Sequence, residues 1–184
     1  MIRLLLSIAL VVASAPAVGA SPAQDGLGRL PNVAFPAPHR VASGRLQADD
    51  MTALKRADIR NVIDLSVDSE TPDFDEATAV RAAGIGYHNL PIHGARDLTR
   101  ANVVQFNQLL LDAGTDPTLV HCASSNRVGA MIALRAALIY GKSTEVALAE
   151  GRRWGLKSLQ PAVRERLDAW STGGASSRPS LPAH

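Results

Sequence analysis

The sequence predicts an α/β domain: a mainly parallel central sheet flanked by helices, with a helical cluster at the C-terminal end. Three observations carry this. Short apolar runs at Arg40 to Leu46, Asn61 to Leu65, Ile85 to Ile92 and Pro117 to Cys122 have the length and composition of buried strands. Amphipathic stretches separate them, as the crossovers of a parallel sheet require. After Cys122 only helical patterns follow. With 184 residues, 46% of them hydrophobic, the chain suits one globular domain with a sizeable core.

The segment before the first strand carries two signals. Arg3 gives a basic start, Leu4 to Ala13 an apolar run, and Val18-Gly19-Ala20 a small-residue cleavage site, so residues 1 to 20 read as a signal peptide with Ser21 as the mature start. Ser7, Ser14 and Pro16 interrupt a run already shorter than the ~20 apolar residues of a spanning helix, so no stable membrane anchor is expected once the signal is removed. The expected location is periplasmic or secreted. A single cysteine fits it, because no intramolecular disulfide can capture the thiol. Residues 21 to 37 are rich in Pro and Gly and read as a linker, leaving residues 38 to 171 for the domain.

Each later element has its own punctuation. The first strand bends at Gly44, and Asp49 and Asp50 offer N-caps to a helix holding Met51, Leu54 and Ile59. Asn61 to Leu65 is a short buried strand, and Ser66 to Asp73 a polar loop in which Glu70 is most simply a solvated charge. Asp75 to Ala83 is a helix stopped by Gly84, and Ile85 to Ile92 is the next strand. Thr99 or Asp97 caps a helix with Val103, Val104, Phe106, Leu109 and Leu110 on its apolar side. Pro117 to Cys122 is the central strand. Val128, Met131, Ile132, Leu134 and Leu138 then mark a helix that is apolar on most faces and ends at Gly141. Ser143 caps another, Pro161 starts the last, and residues 172 to 184 are low in complexity and expected to be disordered.

The composition excludes some functions. Nineteen basic against 17 acidic residues leave a formal charge of +2, too small and too scattered for a nucleic-acid surface, and aromatics at 4% give no base-stacking platform. His88 and His93 lack acidic or thiolate partners at a regular spacing, so neither a metal nor a cofactor is expected.

Chemistry concentrates at Leu119-Val120-His121-Cys122-Ala123-Ser124-Ser125-Asn126-Arg127-Val128-Gly129. A lone cysteine at a strand end is ordinarily a small hydrophobe. Such a strand end has no need of a preceding His, a run of small polar residues and an Arg in the first helical turn. A loop opening a helix aims its N–H groups and the positive end of the helix dipole at one point, which suits an anion. The same field, with Arg127 nearby, favours thiolate over thiol at Cys122.

His-Cys, small residues, then Arg and a helix resembles the signature of the cysteine-dependent tyrosine and dual-specificity phosphatases. The likeness is greatest to the bacterial phosphatase-like domains related to beta-lactamase-like hydrolases. It spans residues 40 to 170, with the loop as its specific part. Four residues separate Cys122 from Arg127 where those phosphatases have five, a length shared with the rhodanese sulfurtransferases. Val128 stands where many members have Ser or Thr, which predicts slow turnover. Glu70 lies near an acidic position of the phosphatase-like domains.

The resemblance implies a phosphate monoester, on a small molecule or a protein, as substrate. The N–H groups of Ala123, Ser124, Ser125, Asn126 and Arg127 would bind its oxygens, with the Arg127 fork gripping two of them. Cys122 would attack phosphorus and form a phosphocysteine. His121 points to the opposite face of the strand from Cys122 and is expected to support the loop. Side chains of Ser124, Ser125 and Asn126 either brace the loop or are ordinary turn residues. Either Asp97 or His93, but not both, is expected to protonate the leaving group. Two other functions use the same residues: sulfur transfer through a persulfide on Cys122, and a non-catalytic anion-binding module.

Overall fold

A computed structural model describes residues 26–175. The expected signal peptide lies outside the described residues, as does the tail beyond Ala175. The strands are β1 (Ala34–Ala37), β2 (Arg40–Ser43), β3 (Asn61–Asp64), β4 (Gly86–Asn89) and β5 (Thr118–His121). The helices are α1 (Met51–Arg56), α2 (Glu76–Ala82), α3 (Arg100–Asp112), α4 (Asn126–Leu138), α5 (Thr144–Arg153) and α6 (Gln160–Ala175). The sheet runs β1-β2-β5-β3-β4, parallel throughout except for the β1–β2 pair. The mainly parallel α/β layout with helices gathered at the C-terminal end is therefore the observed one.

β5 is central, and all four of its residues are buried. Its alternation divides the core in two. Ala42, Ile63, Val120 and Cys122 face one side with α3 to α6, where Phe106, Met131, Leu148 and Val163 close over them. Val41, Val62 and Leu119 face the other side, packed with Leu54 of α1, Val80 of α2 and the lead-in residues Leu27 and Leu30. Burial on both faces explains why β5 reads as a continuous apolar run rather than an alternating one.

The lead-in departs from the linker reading. Ala34–Ala37 forms an antiparallel edge strand on β2, and Leu27 and Leu30 are 2% and 4% exposed. Pro36 hides the strand in the sequence. An edge position tolerates it, because its missing N–H is needed only on the paired side. The first parallel strand also ends earlier than expected, at Ser43, since Gly44 turns toward the active loop and makes an isolated bridge with Ser124. Thr99, not Asp97, caps α3, accepting from the N–H of Asn102 at 3.2 Å. The last helix starts one residue before Pro161 and continues through residues 172–175, where disorder is expected from composition.

Helices α4 and α5 cross at glycines. A Cβ at Gly129 would stand 2.1 Å from the Leu156 nitrogen and 2.6 Å from the Gly151 carbonyl oxygen. Only glycine permits that approach, and it fixes α4 directly behind β5.

Candidate active site

Cys122 follows the last residue of β5 and is fully buried; Asn126 opens α4 four residues later. Ser125 makes the turn between them with φ 61°, a left-handed backbone that costs a non-glycine residue about 1 kcal/mol. Its hydroxyl does not cap the helix. It donates instead to the Asn32 carbonyl at 3.1 Å, tying the loop to the lead-in. The first bond within α4 runs from the Gly129 N–H to the Ser125 carbonyl at 2.9 Å, so the N–H groups of Asn126, Arg127 and Val128 precede the helical ladder. An uncapped N-terminus on a 13-residue helix, with Ala123 and Ser124 exposed beside it, is an anion cradle.

Arg127 is buried and held at one end. Nη1 donates to the carbonyls of Ile92 at 2.8 Å and Leu65 at 3.3 Å, and Nη2 donates to Glu70 Oε2 at 2.6 Å. Three of the five guanidinium N–H donors are thereby used, and the guanidinium also interacts with Cys122. Burial opposes its charge, but the Glu70 hydrogen bond and the nearby charges of Cys122 and Glu70 outweigh that and hold its pKa above the ordinary arginine value. Glu70, most simply read from sequence as a solvated loop charge, is the partner that orients the clamp.

Asn126 has a bracing side chain. Its Oδ1 accepts from the N–H groups of Lys157 at 2.8 Å and Leu159 at 3.3 Å, and its Nδ2 donates to Ser158 Oγ at 2.7 Å. That segment begins with Gly155 at φ 97°, where a Cβ would stand 2.4 Å from the Ser125 Cβ. The loop is thus fastened from the C-terminal helices. No local sequence signal marks this contact, because it joins residues about thirty positions apart.

His121 lies on the opposite face of the sheet from Cys122, as the alternation predicts. It is fully buried, with Nε2 2.6 Å from Glu76 Oε1 and 3.4 Å from Asp64 Oδ1, off the line of an ideal hydrogen bond. The β3–β5 register sets Asp64 directly beside His121, and α2 brings Glu76 over both. Asp64 is otherwise saturated: Oδ1 accepts the Ser66 N–H at 2.7 Å, and Oδ2 accepts Tyr87 Oη at 2.8 Å and Asn89 Nδ2 at 3.2 Å. Burial, reinforced by the Asp64 charge, pushes the Tyr87 phenol well above its ordinary pKa, so it stays a donor. Asp64, Glu76 and His121 are the described residues whose donor atoms gather closely enough to raise the question of a metal. His121 Nε2 and Glu76 Oε1 at 2.6 Å stand closer than the roughly 3.3 Å between two ligands ~2.0–2.1 Å from one tetrahedral ion. The sequence reading missed Asp64 and Glu76; an acidic residue inside the apolar run Val62 to Leu65 is the signal that could have found the first.

Asp97 and His93, alternatives in the sequence, are joined in the structure. Asp97 Oδ2 accepts both the His93 N–H at 2.8 Å and His93 Nδ1 at 2.7 Å. Those bonds, the backbone one foremost, hold the Asp97 carboxyl below its usual range. His93 directly follows Ile92, whose carbonyl binds Arg127. Exposed His88 lies on edge strand β4, away from this group.

Among the described residues no helix is long and apolar enough to cross a membrane. No protein-family model and no curated protein matches the chain. Solved structures do. A candidate phosphatase (DUF442) from Shewanella putrefaciens CN-32 is 20% identical with a TM-score of 0.63, covering 79% of this chain and 97% of its own. A candidate phosphatase from Neisseria meningitidis z2491 is 25% identical, with a TM-score of 0.62 over 75% of this chain and 97% of its own. TpbA of P. aeruginosa, solved in complex with phosphotyrosine, is 20% identical with a TM-score of 0.56, over 79% and 91%. The chain has the fold of the cysteine-dependent, tyrosine-phosphatase-like proteins.

Proposed function

We propose that the protein is a cysteine-dependent phosphatase that hydrolyses a phosphate monoester through a phosphocysteine intermediate. The observation that carries this reading is the meeting of three features. Cys122 directly follows the central strand, the N-terminus of α4 that comes next has no side-chain cap, and Arg127 in the first turn of α4 interacts with Cys122 while Glu70, Ile92 and Leu65 hold it. The N–H groups of the loop and the Arg127 fork bind the phosphoryl oxygens, where charge spreads as the bond to the leaving group lengthens. Cys122 Sγ, as thiolate, forms the S–P bond while the P–O bond to the leaving group breaks, and that oxygen takes a proton. Water then forms a P–O bond as S–P breaks, its proton departs, and phosphate leaves with the thiolate restored. His121 holds the strand end from the opposite face. The substrate is a phosphorylated small molecule or protein, and the N-terminal segment supports an exported enzyme.

One observation favours a second reading. The loop is one residue short of the phosphatase length and closes over a fully buried Cys122, which suits a single sulfur atom carried as a persulfide. Two assays on one preparation separate the readings: phosphate release from an aryl phosphate, and thiocyanate formation from thiosulfate and cyanide. The phosphatase reading expects the first to dominate and to vanish in Cys122→Ser. Sulfur transfer alone overturns it. Phosphate binding that depends on Arg127, with neither activity, would make the protein an anion-binding module.

A further inference from the structure

The proton for the leaving group can be assigned more closely than the sequence allows, and the assignment rests on the phosphatase reading. We propose that His93 is the proton donor through Nε2, and that Asp97 is the positioning residue that holds its ring.

Three observations carry it. First, Asp97 Oδ2 is occupied by two donors from one residue, the His93 N–H at 2.8 Å and Nδ1 at 2.7 Å. A carboxylate engaged in this way is an acceptor with no proton to give near neutral pH. Its depressed titration, caused foremost by the backbone bond from His93, agrees. Second, the Nδ1 bond fixes the ring and its tautomer: Nδ1–H faces the carboxylate and Nε2 is turned away from it. This is the arrangement in which a carboxylate stabilises an imidazolium and aims its other nitrogen. The His93 side chain is 46% exposed, so the ring is accessible from solvent. Third, the Ile92 carbonyl binds Arg127 Nη1 at 2.8 Å, which moors the donor's backbone to the anion clamp.

The step balances simply. As the P–O bond breaks, the leaving oxygen takes the Nε2 proton and leaves a neutral imidazole. In the second half-reaction that neutral ring accepts the proton of the attacking water, which restores the imidazolium for the next turnover. The charged groups around the pair are Arg96, with Nε 3.9 Å from Asp97 Oδ1, Arg166, which reaches the Ala95 carbonyl from α6, and Arg127 with its partner Glu70 beyond Ile92. Asp97 is the anion that the His93 ring contacts directly.

The test uses the full chain and a series of aryl phosphates whose leaving groups range from phenol to dinitrophenol. His93→Ala should lower kcat about 10²-fold for the phenol ester and only a few-fold for the dinitrophenol ester, which leaves without a proton. Asp97→Asn should give a smaller loss of the same kind and move the alkaline limb of the kcat profile to lower pH, with Asp97→Glu recovering part of both. A structural role for Asp97 would lower all esters equally and leave the limb in place. If His93→Ala keeps the wild-type dependence on leaving group, or if Asp97→Asn alone steepens it, the assignment is overturned. Hydrolysis of the dinitrophenol ester that needs Cys122 shows that the phosphatase reading stands in either event, and its absence from the wild type overturns reading and assignment together.

Discussion

His121 and Cys122 are neighbours in the chain and belong to two different sites. On the Cys122 face the first N–H groups of α4 have no side-chain cap, and Arg127 stands beside the thiol. On the His121 face Asp64 takes three donors, while Glu76 Oε1 and both ring nitrogens of His121 stay buried without an aligned hydrogen-bond partner, Nε2 lying 2.6 Å from Glu76 Oε1 and 3.4 Å from Asp64 Oδ1. Donors at an exposed loop can receive a ligand from solvent, whereas polar atoms sealed inside the fold are out of a guest's reach and bear on stability instead. On the proposed reading, one strand end carries the nucleophile on one side and its support on the other. The comparison predicts that substitutions on the Cys122 face cost activity, and those on the His121 face cost stability.

The largest effect is expected at Arg127. Arg127→Lys keeps the charge but loses the planar fork and the double hold on Ile92 and Leu65, so kcat/KM for an aryl phosphate should fall about 10³-fold or more. Thermal unfolding should move far less. A comparable fall in melting temperature would show that Arg127 is chiefly a structural residue.

Glu76→Ala reverses the pattern. It leaves His121 and Asp64 buried around a missing partner, for which a loss of about 3 kcal/mol is typical, read as a lower urea midpoint at unchanged slope. Saturating turnover of the protein that remains folded should change by much less. If stability holds and turnover collapses, the His121 face is part of the reactive site and the division between faces fails.

Gly129→Ala probes the joint between α4 and α5. A Cβ 2.1 Å from the Leu156 nitrogen cannot be accommodated without backbone movement, and about 2 kcal/mol of destabilisation is expected. Denaturant unfolding measures it, and an unchanged midpoint would mean that the crossing is looser than these distances indicate.

The smallest effect concerns acid. The folded Asp97 carboxyl titrates below its ordinary value of about 3.9, so its contribution is complete above that pH and is lost as pH falls through the lower folded value. With 26% of the side chain exposed, screening holds the amount under ~1 kcal/mol. Between about pH 5 and about pH 2 the wild type should lose slightly more stability than Asp97→Asn. Equal losses would remove Asp97 from the list of coupled groups.

How much of this the sequence disclosed follows from the range of each interaction. The strands from Arg40 onward and the helices between them are written in local apolar periodicity, and Cys122 and Arg127 stand close enough in the chain to be read as one loop. β1 escaped because four residues with Pro36 among them look irregular until an edge is available to hold them. Asp64 and Glu76 escaped for a different reason: their meeting with His121 depends on β3 lying next to β5, a choice of strand order that no local pattern records. The bracing of Asn126 by residues 157 to 159 is equally non-local. His93 and Asp97 were both visible, yet the short turn at Ala95–Asp97 that folds one onto the other was not, so partners read as rivals.

The central claim is that Cys122 carries a phosphoryl group during turnover. Acid quenching of the wild type while it hydrolyses an aryl phosphate, followed by peptide mass mapping, tests this directly. The account predicts a phosphoryl adduct on the peptide containing Cys122, absent from Cys122→Ser. A persulfide on that peptide after thiosulfate, with no phosphoryl adduct from any ester, would contradict it, as would phosphate release that persists in Cys122→Ser.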